Sequence, residues 1–150
     1  MPDLAPEFPI ELPHVSFAYE AMVEIGPIQS IGTSPQGERR LVAILGGAFS
    51  GPGLRGRVLA GGADRQILGL DGALRLDALY ELQTDDGAII SVRNRCVIDE
   101  AAGQPAYARS FLTLQAPEGP YGWLNRRVFV GTLRHFAAES RVLIRVFTVE

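Results

Sequence analysis

The chain has 150 residues, 47% of them hydrophobic and 21% charged, with 14 basic residues, 17 acidic ones and a formal net charge of −3. All 14 basic residues are arginine, so Schiff-base chemistry and a lysine general base are excluded, and their scatter along an acidic chain argues against a nucleic-acid surface. Cys96 is the single cysteine, which excludes an internal disulfide or a cysteine metal cluster and fits a reducing, cytoplasmic setting.

The length suits one domain, which buries roughly 70% of the surface its unfolded chain would expose. No segment approaches the roughly 20 apolar residues of a membrane helix, so no membrane partner is expected. Residues 1–14 carry acids and prolines without a basic start and apolar run, and they read as a loose arm ahead of a domain over 15–150.

From Phe17 to Ile25 apolar residues alternate with Ser16, Glu20 and Glu24, the period of a half-buried strand, until Gly26-Pro27 stops the pairing. Further strands are expected over Arg40 to Leu45, Leu54 to Ala60 and Gln66 to Leu70, with the glycines of Gly46 to Gly56 supplying bulges and bends. Leu74 to Thr84 is the cleanest strand. Leu76, Ala78, Tyr80 and Leu82 share a face, and the tight-turn pairs Asp71-Gly72 and Asp86-Gly87 bracket it. Ala88 to Ile98, Tyr107 to Leu114 and Trp123 to Thr132 follow, then a short helical stretch at Arg134 to Ser140 and a strand through Val142, Ile144 and Val146. Such a meander predicts an all-β fold with little helix. The strands form a single closed or nearly closed antiparallel β-barrel, because closure removes unpaired edges.

A barrel of about eight strands encloses side chains or one small ligand, which makes inward polar residues informative. Asp64 and Gln66 share a face with Leu68 and Leu70, where desolvation would favour the neutral acid and suit proton transfer. Tyr80 points inward with its hydroxyl needing a partner, and Asn94 continues the face of Ile90 and Val92 as a buried amide. Arg93 and Arg95 fall on the opposite, solvent face. Trp123, Asn125, Arg127 and Phe129 share one face of their strand, and Leu124, Arg126, Val128 and Val130 share the other. If the first face is inward, Trp123 offers a stacking plane, Asn125 an amide and Arg127 a cation for a ligand. His14 and His135 fall in expected terminal or loop regions, which leaves no metal site or catalytic triad in view. Cys96 reads as structural.

Several glycine-anchored blocks carry a resemblance: Gly46-Gly47-Ala48-Phe49-Ser50-Gly51-Pro52-Gly53-Leu54-Arg55-Gly56, Gly61-Gly62-Ala63-Asp64, Thr84-Asp85-Asp86-Gly87, Val92-Arg93-Asn94-Arg95, and Trp123 through Thr132. In this order they resemble domain-of-unknown-function family 3237, over about Phe17 to Glu150. The resemblance implies a small barrel, calycin-like or allene-oxide-cyclase-like, without naming a reaction, and it favours a functional Asp64. This chain departs from the family pattern at Arg65, where tryptophan is usual, and at Cys96, where glycine is usual.

The expectation is a cavity that binds an apolar, oxygen-bearing small molecule. With no cofactor or metal implied, it would support isomerase, cyclase or hydratase chemistry. Asp64 would transfer the proton, Tyr80 and Asn94 would polarise oxygen, and Gln66, Trp123, Asn125 and Arg127 would bind substrate. The alternative is a non-catalytic carrier using the same cavity. Exposed strand edges and surface apolar residues make a homodimer an expectation as well.

Overall fold

The computed structural model describes residues 4–150. Of the arm expected over residues 1–14, residues 1–3 lie outside the described residues. Residues 4–14 contain no strand and are exposed. Ten strands follow: β1 (Val15–Ile25), β2 (Gln29–Ser34), β3 (Gly37–Gly51), β4 (Leu54–Val58), β5 (Ala63–Gly69), β6 (Leu74–Thr84), β7 (Ile89–Asp99), β8 (Tyr107–Gln115), β9 (Val128–Phe136) and β10 (Arg141–Val149). The helical segments among the described residues are 3-10 turns of three to five residues, and no helix is long and apolar enough to cross a membrane.

Strand β1 pairs antiparallel with β10 on one edge and with β3 on the other, so the sheet closes on itself. The result is the expected antiparallel barrel, with eight strand positions around the wall. Two strands share one position. β4 pairs with the second half of β3 and with the end of β6, while β5 pairs with the first half of β3 and the start of β6. They are therefore one long strand interrupted at residues 59–62. At the interruption the Ile44 N–H donates to the Gly62 carbonyl at 2.9 Å, and the Leu59 N–H donates to the Glu81 carbonyl at 2.9 Å. β2 lies outside the closed wall as a hairpin on the start of β3.

Three local expectations change. β2 has no alternating apolar face for a sequence pattern to detect, and pairing with β3 supplies its order. Residues Gly122–Arg126 form a 3-10 turn, so β9 begins only at Val128 and not at Trp123. The stretch from Arg134 is strand as far as Phe136, then a single 3-10 turn at Ala137–Glu139 that leads into β10. In both places one or two good local turns precede or follow a run whose pairing partners decide its conformation. Both Asp-Gly pairs form the anticipated hairpins, and Asp86 accepts from Thr84 Oγ1 and, at 2.9 Å, from Tyr121 Oη.

Alternation divides the wall into an inner and an outer face. One half of the interior is filled by Tyr19, Phe49, Leu54, Leu82, Leu124 and Phe129, with Tyr19 edge-on to Phe49 at 6.0 Å between centroids. Gly62 lets the broken strand pass close to β6. A Cβ there would lie 2.5 Å from Tyr80 Cβ and 2.6 Å from the Leu79 carbonyl oxygen. Gly62→Ala therefore pushes Tyr80 inward or splits β5 from β6. The expected cost is about 1–3 kcal/mol, read as a fall in Tm of roughly 2–12 °C by differential scanning calorimetry.

Candidate active site

The other half of the barrel holds a cavity of about 240 Å³. Its position follows from register. Asp64 lies opposite Ala78, which lies opposite Asn94, and one step nearer the mouth Gln66 lies opposite Leu76 and Leu76 opposite Cys96. Each of these residues is inward-facing because the parity of β5, β6 and β7 is locked by the neighbouring strands. The small Ala78 between Asp64 and Asn94 leaves room above it. Tyr80 forms the floor, and apolar side chains such as Val23, Val42, Ile44 and Ile144 make most of the wall.

Asp64 is buried, and burial is the largest influence on its carboxyl, raising its pKa above the ordinary value; hydrogen bonds from Gln66 and the Asp77 backbone oppose the shift without cancelling it. Gln66 Nε2 donates to Asp64 Oδ2 at 2.8 Å, and the Asp77 N–H donates to Oδ1 at 3.1 Å. The Asp77 carboxylate itself faces outward and takes both Arg93 donors, at 3.0 and 2.8 Å. Arg93 is thus ion-paired on the solvent face, as its parity predicts.

Burial also pushes the Tyr80 hydroxyl well above the ordinary tyrosine range, with Asn94 partly offsetting the effect and Asp64 adding to it. Three buried atoms of the cavity lining have no hydrogen-bond partner among the described residues: Gln66 Oε1, Tyr80 Oη and Asn94 Oδ1. An unpaired buried polar atom costs about 1–3 kcal/mol. Natural cores rarely carry three so close together unless something that enters the space satisfies them. Tyr19 Oη is likewise buried and unpaired among the described residues.

The structure brings Asp64, Gln66, Tyr80 and Asn94 together and leaves Trp123, Asn125 and Arg127 apart. Because residues 122–126 turn rather than extend, neither alternating face anticipated for that block exists before β9. Trp123 packs against the filled half of the interior, 6.2 Å from Phe129. Asn125 is committed to the backbone of Ala116, accepting from its N–H at 2.7 Å and donating to its carbonyl at 3.0 Å. Arg127 is exposed. None of the three lines the cavity.

Arg40, Cys96, Glu100 and His135, by contrast, do line it. His135 sits in β9 rather than a loop, opposite Val142 of β10, and its odd-numbered parity with Phe129 and Leu133 is the signal that would have placed it. Cys96 is inert as a nucleophile: burial first, then the Asp64 charge, pushes its thiol up to about 12. Among the described residues no three of His, Cys, Asp and Glu cluster closely enough to hold a metal ion.

These features define a closed antiparallel barrel with a largely apolar internal cavity and an acid and two amides on its wall. The chain belongs to the protein family of unknown function DUF3237, which matches residues 13–149. It is similar to a UPF0311 protein of Rhodopseudomonas palustris, 32% identical over 146 residues, covering 89% of this chain and 94% of that one. It is also similar to the hydroalkoxylation enzyme phnH of Penicillium herquei, 33% identical over 120 residues, covering 80% and 74% of the two chains. Among solved structures, a Rhodopseudomonas palustris protein of unknown function superposes with a TM-score of 0.86 at 31% identity, covering 94% of this chain and all of that one. A Penicillium herquei enzyme superposes with a TM-score of 0.77 at 26% identity, covering 95% and 98%.

The raised Asp64 value has a thermodynamic consequence of definite sign. A carboxyl whose folded pKa lies above its unfolded value of about 3.9 contributes stability in full below that pH and loses it as pH rises through the folded value. Asp64→Asn has no proton to lose. Its urea midpoint relative to wild type should therefore climb as pH rises from about 4 through the raised folded value, whereas a constant difference would show an unperturbed carboxyl.

Proposed function

We propose that the cavity binds an apolar small molecule bearing a hydroxyl and a carbon–carbon double bond, and catalyses addition of the O–H across that bond without a cofactor. The observation that carries this reading is the set of unpaired polar atoms beside a carboxyl biased toward its neutral form, all inside one apolar cavity. The fungal relative named as a hydroalkoxylation enzyme supports the reaction type, since hydroalkoxylation is such an addition.

In this reading Asp64 gives its proton to one alkene carbon. The substrate oxygen bonds to the other carbon, and the hydroxyl proton passes to the Asp64 carboxylate, which restores the acid. Atoms and charge balance with no external oxidant or reductant. Gln66 orients the carboxyl through the bond to Oδ2, and the Asp77 N–H holds the second oxygen. Tyr80, whose raised pKa keeps it protonated, donates to the substrate oxygen, while Asn94 Oδ1 accepts from the hydroxyl as it enters. The apolar wall excludes water that would compete as nucleophile.

The test incubates wild type and Asp64→Asn with a metabolite extract in deuterated water and follows both solution and retained compounds by mass spectrometry. A compound converted by wild type to an isomer with one carbon-bound deuterium is the expected result. Asp64→Asn should lower that turnover by about 10²- to 10⁴-fold, the usual share of a proton-transfer group, and Tyr80→Phe should lower it less. A compound retained unchanged and equally by both proteins would make the barrel a carrier and Asp64 a structural residue.

A further inference from the structure

Apart from the cavity, the least expected feature is on the outside of the barrel. The outer face of a barrel in water normally carries polar residues, yet Phe17, Phe147, Val130 and Phe111 are directly opposed across β1, β10, β9 and β8. Phe17 and Phe111 are 44% and 52% exposed, and the Phe17 and Phe147 rings meet edge-on at 6.1 Å. A second opposed row, Val15, Val149 and Val128, lies beside the first. Together the rows make a continuous apolar surface of the kind that marks a docking site. Arg109 and Arg95 stand at its margin. Arg109 forms no ion pair among the described residues and lies over the Tyr107 ring, while Arg95 lies over the Phe111 ring and pairs with Asp77 at 3.9 Å.

The same chain carries a segment with matching chemistry. In the arm, Phe8, Ile10 and Leu12 are 70%, 82% and 75% exposed, so no described residue covers them. In an extended segment these alternate residues fall on one side, and Glu7 and Glu11 on the other. Their spacing of two residues, roughly 7 Å, equals the separation of the two apolar rows on the patch. The arm thus offers an apolar side where the patch offers an apolar floor.

We infer that the arm of one copy docks on the outer β1-β10-β9-β8 face of a second copy, reciprocally, to form a twofold dimer. The chain's own patch is the wrong recipient. His14 exchanges both backbone hydrogen bonds with Glu150, at 3.2 and 2.6 Å, which extends the β1–β10 ladder and launches the arm in line with β1. Pro13 holds Leu12 in extended geometry, so no tight reversal brings Ile10 and Phe8 back over Phe17. A twofold arrangement satisfies both arms and both patches at once and closes, which leaves no sticky surface for further growth.

Sedimentation velocity on the full chain over a range of concentrations tests the arrangement. The wild type should sediment as a dimer. The arm variant Phe8→Ser/Ile10→Ser and the patch variant Phe111→Arg should each raise the dissociation constant at least about tenfold. Circular dichroism melts report whether each variant is folded; every substituted side chain is exposed, so wild-type-like spectra are expected. A monomeric wild type overturns the inference. So does a dimer that Phe111→Arg breaks while Phe8→Ser/Ile10→Ser leaves it intact, since that would be patch against patch.

Discussion

Closure of the sheet is the constraint on which the rest of this structure depends. Once β1 pairs with both β10 and β3, every strand position of the closed wall has two neighbours, and its parity can no longer slip without moving a whole row of side chains to the wrong face. Polar residues at inward parity are then trapped inside. Asp64, Gln66, Tyr80 and Asn94 are internal for that reason, and their shifted proton affinities and unpaired atoms are consequences of confinement rather than of any special local geometry.

Confinement alone would make these residues a liability. What sets them beside open space is the uneven filling of the barrel. Large rings and Leu124, supplied from the 3-10 turn before β9, occupy one half, while Ala78 and aliphatic wall residues leave space in the other. The interruption between β4 and β5 sits at the boundary, and Gly62 lets Asp64 enter the wall directly above Tyr80. The acid, its orienting amide and the tyrosine floor therefore depend on one backbone break. The outer face obeys different rules. There the apolar rows on β1, β10, β9 and β8 pair across strands outside the packed interior, with Phe17 and Phe111 largely open to solvent.

Part of the site was legible in the chain because strands obey a period of two. Tyr80 could be assigned inward from Leu76, Ala78 and Leu82, Asn94 from Ile90 and Val92, and Asp64 with Gln66 from Leu68 and Leu70. The reasoning fails where periodicity stops. A strand's parity does not extend to Trp123, Asn125 and Arg127, because a 3-10 turn precedes β9, and Asn125 bonds back to the backbone of Ala116. His135 was lost for the opposite reason: a strand was taken for a loop, although β10 across from it orders the backbone.

By itself the sequence determined the all-β class, the two Asp-Gly hairpins, the run of the main strands and the inward parity of four polar residues. Those features rest on near-neighbour physics: side-chain alternation, turn conformations open to glycine and the depletion of helical periodicity. Only the tertiary structure decided that β4 and β5 share a single position, that the cavity occupies one half of the barrel, and that His135 rather than Trp123 borders it. Those outcomes depend on contacts between residues far apart in the chain, where pairing register and the volume left by packing, not local preference, set which groups meet.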